Sequence, residues 1–191
     1  MSNKLILASS SPRRQELLQQ AMIPFSTRKQ SVDETQIISD DPVEKVRKLA
    51  TLKGKNAVIH HDDEVILAAD TVVSFKQRIF EKPVNQDNAF QMLTALSGNT
   101  HEVYTGVMIR SLEKEIVFVE KTSVEFWTLS EEDINWYIST QEPYDKAGAY
   151  GIQSMGAILV KKIIGDYYNV VGLPISRVVR ELRSFSIYPQ K

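Results

Sequence analysis

The chain has 191 residues, 42% hydrophobic and 25% charged; this is the composition of a folded domain with a sizeable core, which excludes a disordered segment. Lys and Arg number 23 against 24 Asp and Glu, a net charge of −1 that argues against a protein coating nucleic acid. The absence of cysteine excludes disulfides, zinc–thiolate sites and thiol nucleophiles. No run reaches the roughly 18 apolar residues of a membrane helix, and the apolar opening is too short for a signal peptide. The expectation is one cytoplasmic domain over residues 1–191, without a membrane partner.

Taken in chain order, Lys4 to Ala8 reads as a buried strand broken by Ser9, Ser10 and Ser11. Pro12 suits a first helical position with Ser11 as N-cap, and the helix runs through Leu17, Leu18 and Ala21. Pro24 to Lys29 reads as a second strand, and the polar stretch from Gln30 to Asp41 as a loop. Pro42 opens a helix to about His60 with a stripe of Val43, Val46, Leu49, Ala50 and Ala57. Val65 to Ala69 is a strand ending at Asp70, and Thr71 to Phe75 with Arg78 to Phe80 forms a hairpin around Lys76 and Gln77. Asn85 to Leu96 is helical and Gly98 ends it.

His101 to Arg110 and Ile116 to Phe126 then read as a long antiparallel pair. Ser130, with Asp133 three residues on, starts a helix to about Ser139. Glu142 to Gly156 is rich in glycine and polar residues, Ala157 to Ile164 reads as a strand, and Pro174 to Phe185 as a last helix. Strands interleaved with helices, plus hairpins, give an α/β class with a mixed sheet.

The residues able to carry chemistry are serines, arginines, lysines and carboxylates. Leu7 to Arg14 places Ser9 and Ser11 between a strand and a helix start, where free N–H groups and the helix dipole favour an anion. Arg13 and Arg14 add charge, and a guanidinium fork matches phosphate. An ordinary N-cap followed by surface arginines is the other reading. No Gly-x-x-x-x-Gly-Lys-Ser/Thr occurs, so this is not a P-loop.

Asp70, like Ser9, follows a buried strand, and ligands of open α/β sheets bind beyond strand carboxyl ends. If the two strands are parallel neighbours, both residues share one crevice. Lys53 falls on the inward face of its helix with Val46, Ala50 and Ala57, so it either snorkels to water or meets an anion. Lys82, fixed before Pro83, suits a phosphate or simply solvent, and Glu34, in the polar loop, reads by itself as a solvated residue. His60 and His61 are adjacent and make a poor metal pair, and His101 reads as a core or strand residue. The set suits phosphate with magnesium, which binds one or two carboxylates and completes its shell with phosphate oxygens and water.

These residues resemble the Maf family of nucleotide pyrophosphatases. The resemblance rests on an ordered set spanning nearly the whole chain: Leu7–Arg14, Val32–Asp33–Glu34, the helix with Lys53, Ala69–Val73, Glu81–Lys82–Pro83, Ser97–Gly98, Tyr104–Gly106, Asp145–Gln153 and Val171–Pro174. It implies a twisted mixed sheet with flanking helices, two lobes around a cleft, of the inosine-triphosphatase-like kind, and a homodimer. It implies hydrolysis of a nucleoside triphosphate between the α- and β-phosphates. By matching position, Ser9, Ser11, Arg14, Lys53 and Lys82 would bind the triphosphate. Glu34 and Asp70 would bind a divalent cation, Mg²⁺ or Mn²⁺, and Asp70 would act as the catalytic base.

Within the family, Arg13, Thr71 and Gln153 resemble the form acting on dTTP and UTP. The chemistry agrees: uracil and thymine show two carbonyls flanking an N–H, and a glutamine amide both donates and accepts. The family is also linked to septum formation, so a nucleotide-binding regulatory module of cell division without turnover is the rival reading. A nucleotidyltransferase, which passes the nucleotidyl group to an acceptor other than water, is another.

Overall fold

The computed structural model describes residues 3–190. The apolar run at the start forms β1 (Lys4–Leu7), which pairs in parallel with β2 (Phe25–Thr27) on one side and β3 (Glu64–Phe75) on the other. Two crossovers make this possible: α1 (Pro12–Gln20) joins β1 to β2, and α2 (Pro42–Asn56) leads into β3. Asp41 caps α2 by accepting the Val43 N–H, with Pro42 in the first turn.

β3 then turns back on itself through Lys76 and Gln77, both at positive φ, into β4 (Arg78–Phe80). After α3 (Gln86–Leu96), the long hairpin of β5 (Thr100–Arg110) and β6 (Glu115–Phe126) closes on the far edge of β3. α4 (Glu131–Ile138) starts in a Ser130–Asp133 capping box, and β7 (Val160–Ile164) completes the sheet on β6. α5 (Tyr167–Val171) and α6 (Ile175–Leu182) end the chain's regular structure. The seven-stranded mixed sheet has the order β2-β1-β3-β5-β6-β7, with β4 on β3 off that path.

Two apolar clusters divide the molecule into lobes that share the long strands. One gathers Leu17 and Leu18 of α1 and Val178 and Leu182 of α6 over Leu5, Leu7 and Leu67. The other gathers Leu93 and Leu96 of α3 and Ile134 and Tyr137 of α4 over Val73, Val103 and Val124. On the opposite face α2 covers the sheet with Val46, Leu49 and Ala50. No helix among the described residues is long and apolar enough to cross a membrane.

Several expected boundaries move. β3 does not end at Asp70 but runs through it, because β5 pairs with every residue from Ile66 to Ser74 and keeps the chain extended past the apolar run. α2 stops at Asn56 instead of about His60; Ala57 leaves the helix in an extended conformation and the chain turns toward β3. β2 is shorter than Pro24–Lys29. Residues 157–159 of the strand expected over Ala157–Ile164 belong instead to a 3₁₀ stretch, Ser154–Leu159. The last helix is regular to Leu182, then tightens to a 3₁₀ turn at Arg183–Phe185. α5 was not expected: five residues are too short for a helical period to declare itself.

Candidate active site

The parallel pairing of β1 and β3 carries Ser9 and Asp70 into one crevice. The last β1 partner on β3 is Leu67 and the first β4 partner is Val73, so between them β3 has no strand partner on that edge. A cleft of about 1070 Å³ lies against this open stretch, between the two lobes. Strand side chains alternate between faces. Asp70 accordingly faces α2, while Thr71 faces α1 and α5.

On the α2 face, Lys53 forms ion pairs with both Asp70 and Glu34, the latter at 3.0 Å. Its side chain is only 12% exposed. Of the two fates open to an inward lysine, it has met anions. Glycine makes the approach possible: Gly106 is the register partner of Asp70, and a Cβ there would lie 2.2 Å from the Val46 carbonyl oxygen of α2. Glu34 starts a short 3₁₀ turn (Glu34–Gln36) capped by Asp33, which aims it from the polar loop toward Lys53.

On the other face, Arg14 is held on three sides. Its Nε donates to the Gly172 carbonyl at 2.8 Å, and its two terminal nitrogens donate to Ser9 Oγ and Thr71 Oγ1, both at 3.2 Å. Burial lowers the Arg14 pKa from its usual value, while Asp70 opposes the shift. The Ser9 hydroxyl also accepts the Ser11 N–H at 3.2 Å. Ser11 occupies the N-cap position of α1 without a side-chain cap bond, so the first N–H groups of the helix face the cleft uncapped by it.

Arg13 reaches across the cleft to Asp145 at 2.9 Å. Burial alone would raise the Asp145 pKa, but hydrogen bonds from Lys146 and Arg13 outweigh it and hold the carboxyl below its usual value. Lys82 and Gln153 also line the cleft. Lys82 makes no ion pair among the described residues.

The charge pattern suits a polyanion with a cation. The carboxylates of Glu34 and Asp70 converge on one ammonium, so their oxygens can meet on a single small cation. Among the described residues no group of three or more His, Asp or Glu gathers. A two-carboxylate site of this kind fits Mg²⁺ or Mn²⁺ completed by phosphate and water.

The family model for Maf-like proteins matches residues 4–185. The chain belongs to the Maf family. It is similar to a dTTP/UTP pyrophosphatase of Bacillus cereus strain G9842, 52% identical over 184 residues and 96% of each chain. A dTTP/UTP pyrophosphatase of Bacillus mycoides strain KBAB4 is 52% identical over 182 residues and 95% of each chain. Among solved structures, the Ham1 protein of Staphylococcus aureus has a TM-score of 0.44 at 13% identity, over 65% of this chain and 72% of that one. That likeness is too distant to bear on the site.

Most of the Maf segments that the sequence places far apart meet around the cleft, where every one of the candidate residues lies; Ser97–Gly98 and Tyr104–Gly106 stand outside its lining. Sequence reasoning assigned no role to Asp145 or Lys146, although both stand in the Asp145–Gln153 segment. It also passed over Gln30, whose amide donates to the Ala8 carbonyl at 2.7 Å and steadies the serine loop. His101 is a core residue, with its Nε2 2.8 Å from the Tyr150 hydroxyl. Two large apolar side chains, Trp127 and Trp136, are 52% and 47% exposed.

Proposed function

We propose that this Maf protein hydrolyses nucleoside triphosphates to the monophosphate and pyrophosphate, with preference for dTTP and UTP. The observation that carries the reading is the open edge of β3, where Lys53 pairs with Asp70 and Glu34 on one face of the strand and Arg14 bonds Thr71 on the other. The names of the Bacillus relatives support the same chemistry.

Arg14, Lys82 and the first turn of α1 bind the triphosphate, and Ser9 and Ser11 add hydroxyl donors. Glu34 and Asp70 would hold a divalent cation, which would neutralise phosphate charge and polarise the phosphoryl group. Asp70 accepts a proton from water as the water oxygen bonds to the α-phosphorus. The bond from that phosphorus to the bridging oxygen breaks, and pyrophosphate leaves with its electron pair. Lys53, which pairs with Asp70 and Glu34 in the free cleft, binds the triphosphate beside the cation. Arg13 and Gln153 supply the donors and acceptor that read the uracil or thymine edge. Cytosine leaves part of that set unpaired, which a hydrogen-bonding site rejects strongly.

Incubation of the protein with a nucleotide panel and Mg²⁺ tests this directly. Pyrophosphate and free monophosphate, without added acceptor, support the hydrolase. Stoichiometric binding with no pyrophosphate favours a regulatory module. Dependence on a sugar or other acceptor favours nucleotidyl transfer. We further propose a homodimer, a reading that the family resemblance motivates and the exposed Trp127 and Trp136 support.

A further inference from the structure

Thr71 and Thr105 are register partners on β3 and β5, with hydroxyl oxygens 2.9 Å apart. Either could donate, but their neighbours decide the direction. The Thr105 oxygen lies 3.1 Å from the Asn169 main-chain carbonyl, which can only accept. Arg14 Nη2 lies 3.2 Å from the Thr71 oxygen and can only donate. Each hydroxyl has one proton. Thr105 therefore donates to Asn169, Thr71 donates to Thr105, and a Thr71 lone pair receives Arg14.

Asn169 is a firm anchor. It is fully buried on α5, and its side-chain amide donates to the Val103 carbonyl at 3.1 Å and to Thr122 Oγ1 at 2.9 Å. Its main-chain carbonyl also accepts the Gly172 N–H at 3.0 Å, and the Gly172 carbonyl accepts Arg14 Nε. Two arms thus run from Asn169 to one guanidinium, one through Gly172 and one through Thr105 and Thr71. Of the five N–H groups of Arg14, three are committed to protein, leaving one on each terminal nitrogen. That is a fork for two phosphate oxygens.

We propose that Thr105 is a positioning residue for Arg14, acting through Thr71 to aim this fork; the inference rests on the triphosphate reading of the cleft. The Thr71 proton is committed to the sheet interior and does not reach a base carbonyl. Thr71 acts on the phosphates through Arg14, whichever base is bound.

The test uses Thr105→Val and Thr105→Ser, with inhibition by inorganic tripolyphosphate, kcat/KM for dTTP, UTP and CTP, and thermal stability as readouts. Thr105→Val should weaken tripolyphosphate roughly tenfold and lower kcat/KM by a similar factor for all three nucleotides, the scale of one hydrogen bond to a charged group. Thr105→Ser should restore both to within about threefold, since it returns the hydroxyl. Unchanged tripolyphosphate inhibition with a lowered melting temperature overturns the proposal, as does a loss confined to one base. If the unmodified protein releases no pyrophosphate, the hydrolase reading fails, while direct tripolyphosphate binding still decides the role of Thr105.

Discussion

Asp70 and Thr71 are consecutive, yet their side chains serve opposite faces of one strand. Asp70→Asn keeps the shape and removes the base, so turnover should fall by about 10²–10⁴-fold with the fold intact; pyrophosphate release by the purified variant measures it. Arg13→Ala and Gln153→Ala should narrow the gap between UTP and CTP more than they change Mg²⁺ affinity, which competition kinetics with metal titration resolves. Ser9, Arg14, Lys53 and Asp70 were legible because each stands out locally: a serine run after a strand, an arginine in a first helical turn, a lysine on an apolar stripe, an acid after a buried run. Asp145 was not, since its pairing with Arg13 spans 132 positions and no local pattern announces it.

α2 carries Lys53 to Asp70 only because β5 is bare at Gly106. Gly106→Ala would drive a methyl into the α2 backbone at Val46, where no flexible side chain can yield. The expected cost is about 1–3 kcal/mol or more, typical of overpacking, with activity falling beyond the stability loss because Lys53 is displaced. Chemical denaturation beside a rate measurement separates the two effects. The amphipathic stripe of α2 and the alternation along the hairpin were readable; the length of β3 was not, since pairing with β5, not composition, carries the strand through Asp70. The close approach at Gly106 leaves no mark in a period of 3.6 or 2 and emerges only from packing.

At the scale of the whole molecule, acid should weaken both lobes in separate windows. Burial pushes the His101 pKa down from 6.5 to about 4, so between those values the unfolded chain takes up a proton that the folded chain refuses. Stability is complete above pH 6.5 and falls by about 3 kcal/mol as pH drops toward 4, at 1.4 kcal/mol per unit. His101→Gln should flatten that slope in thermal melts. Hydrogen bonds from Arg28 hold Glu64 down at about 2, against its usual 4.5, so its contribution is present above pH 4.5 and lost below it. Arg28→Ala strands the buried Glu64 carboxylate at the start of β3 and should cost about 3–5 kcal/mol. Sedimentation at micromolar concentration tests the dimer: a monomer removes that reading, and Trp127→Glu should dissociate a dimer seated there. The α/β class and the mixed sheet followed from the order of elements; the division into two lobes required knowing which long strands both clusters share.

The gap in the sheet beside residues 68–72 has a consequence for solubility. An uncovered strand edge offers main-chain donors and acceptors to any extended peptide, and charged groups along the edge are a usual deterrent. Here the deterrents are the groups proposed to handle the triphosphate, so the chemistry and the guarding of the edge reside in the same side chains. Replacing Asp70 and Lys53 together by leucine should therefore do more than abolish turnover. It should yield a protein that self-associates as concentration rises, visible in light scattering, whereas Asp70→Asn, with Lys53 in place, stays dispersed.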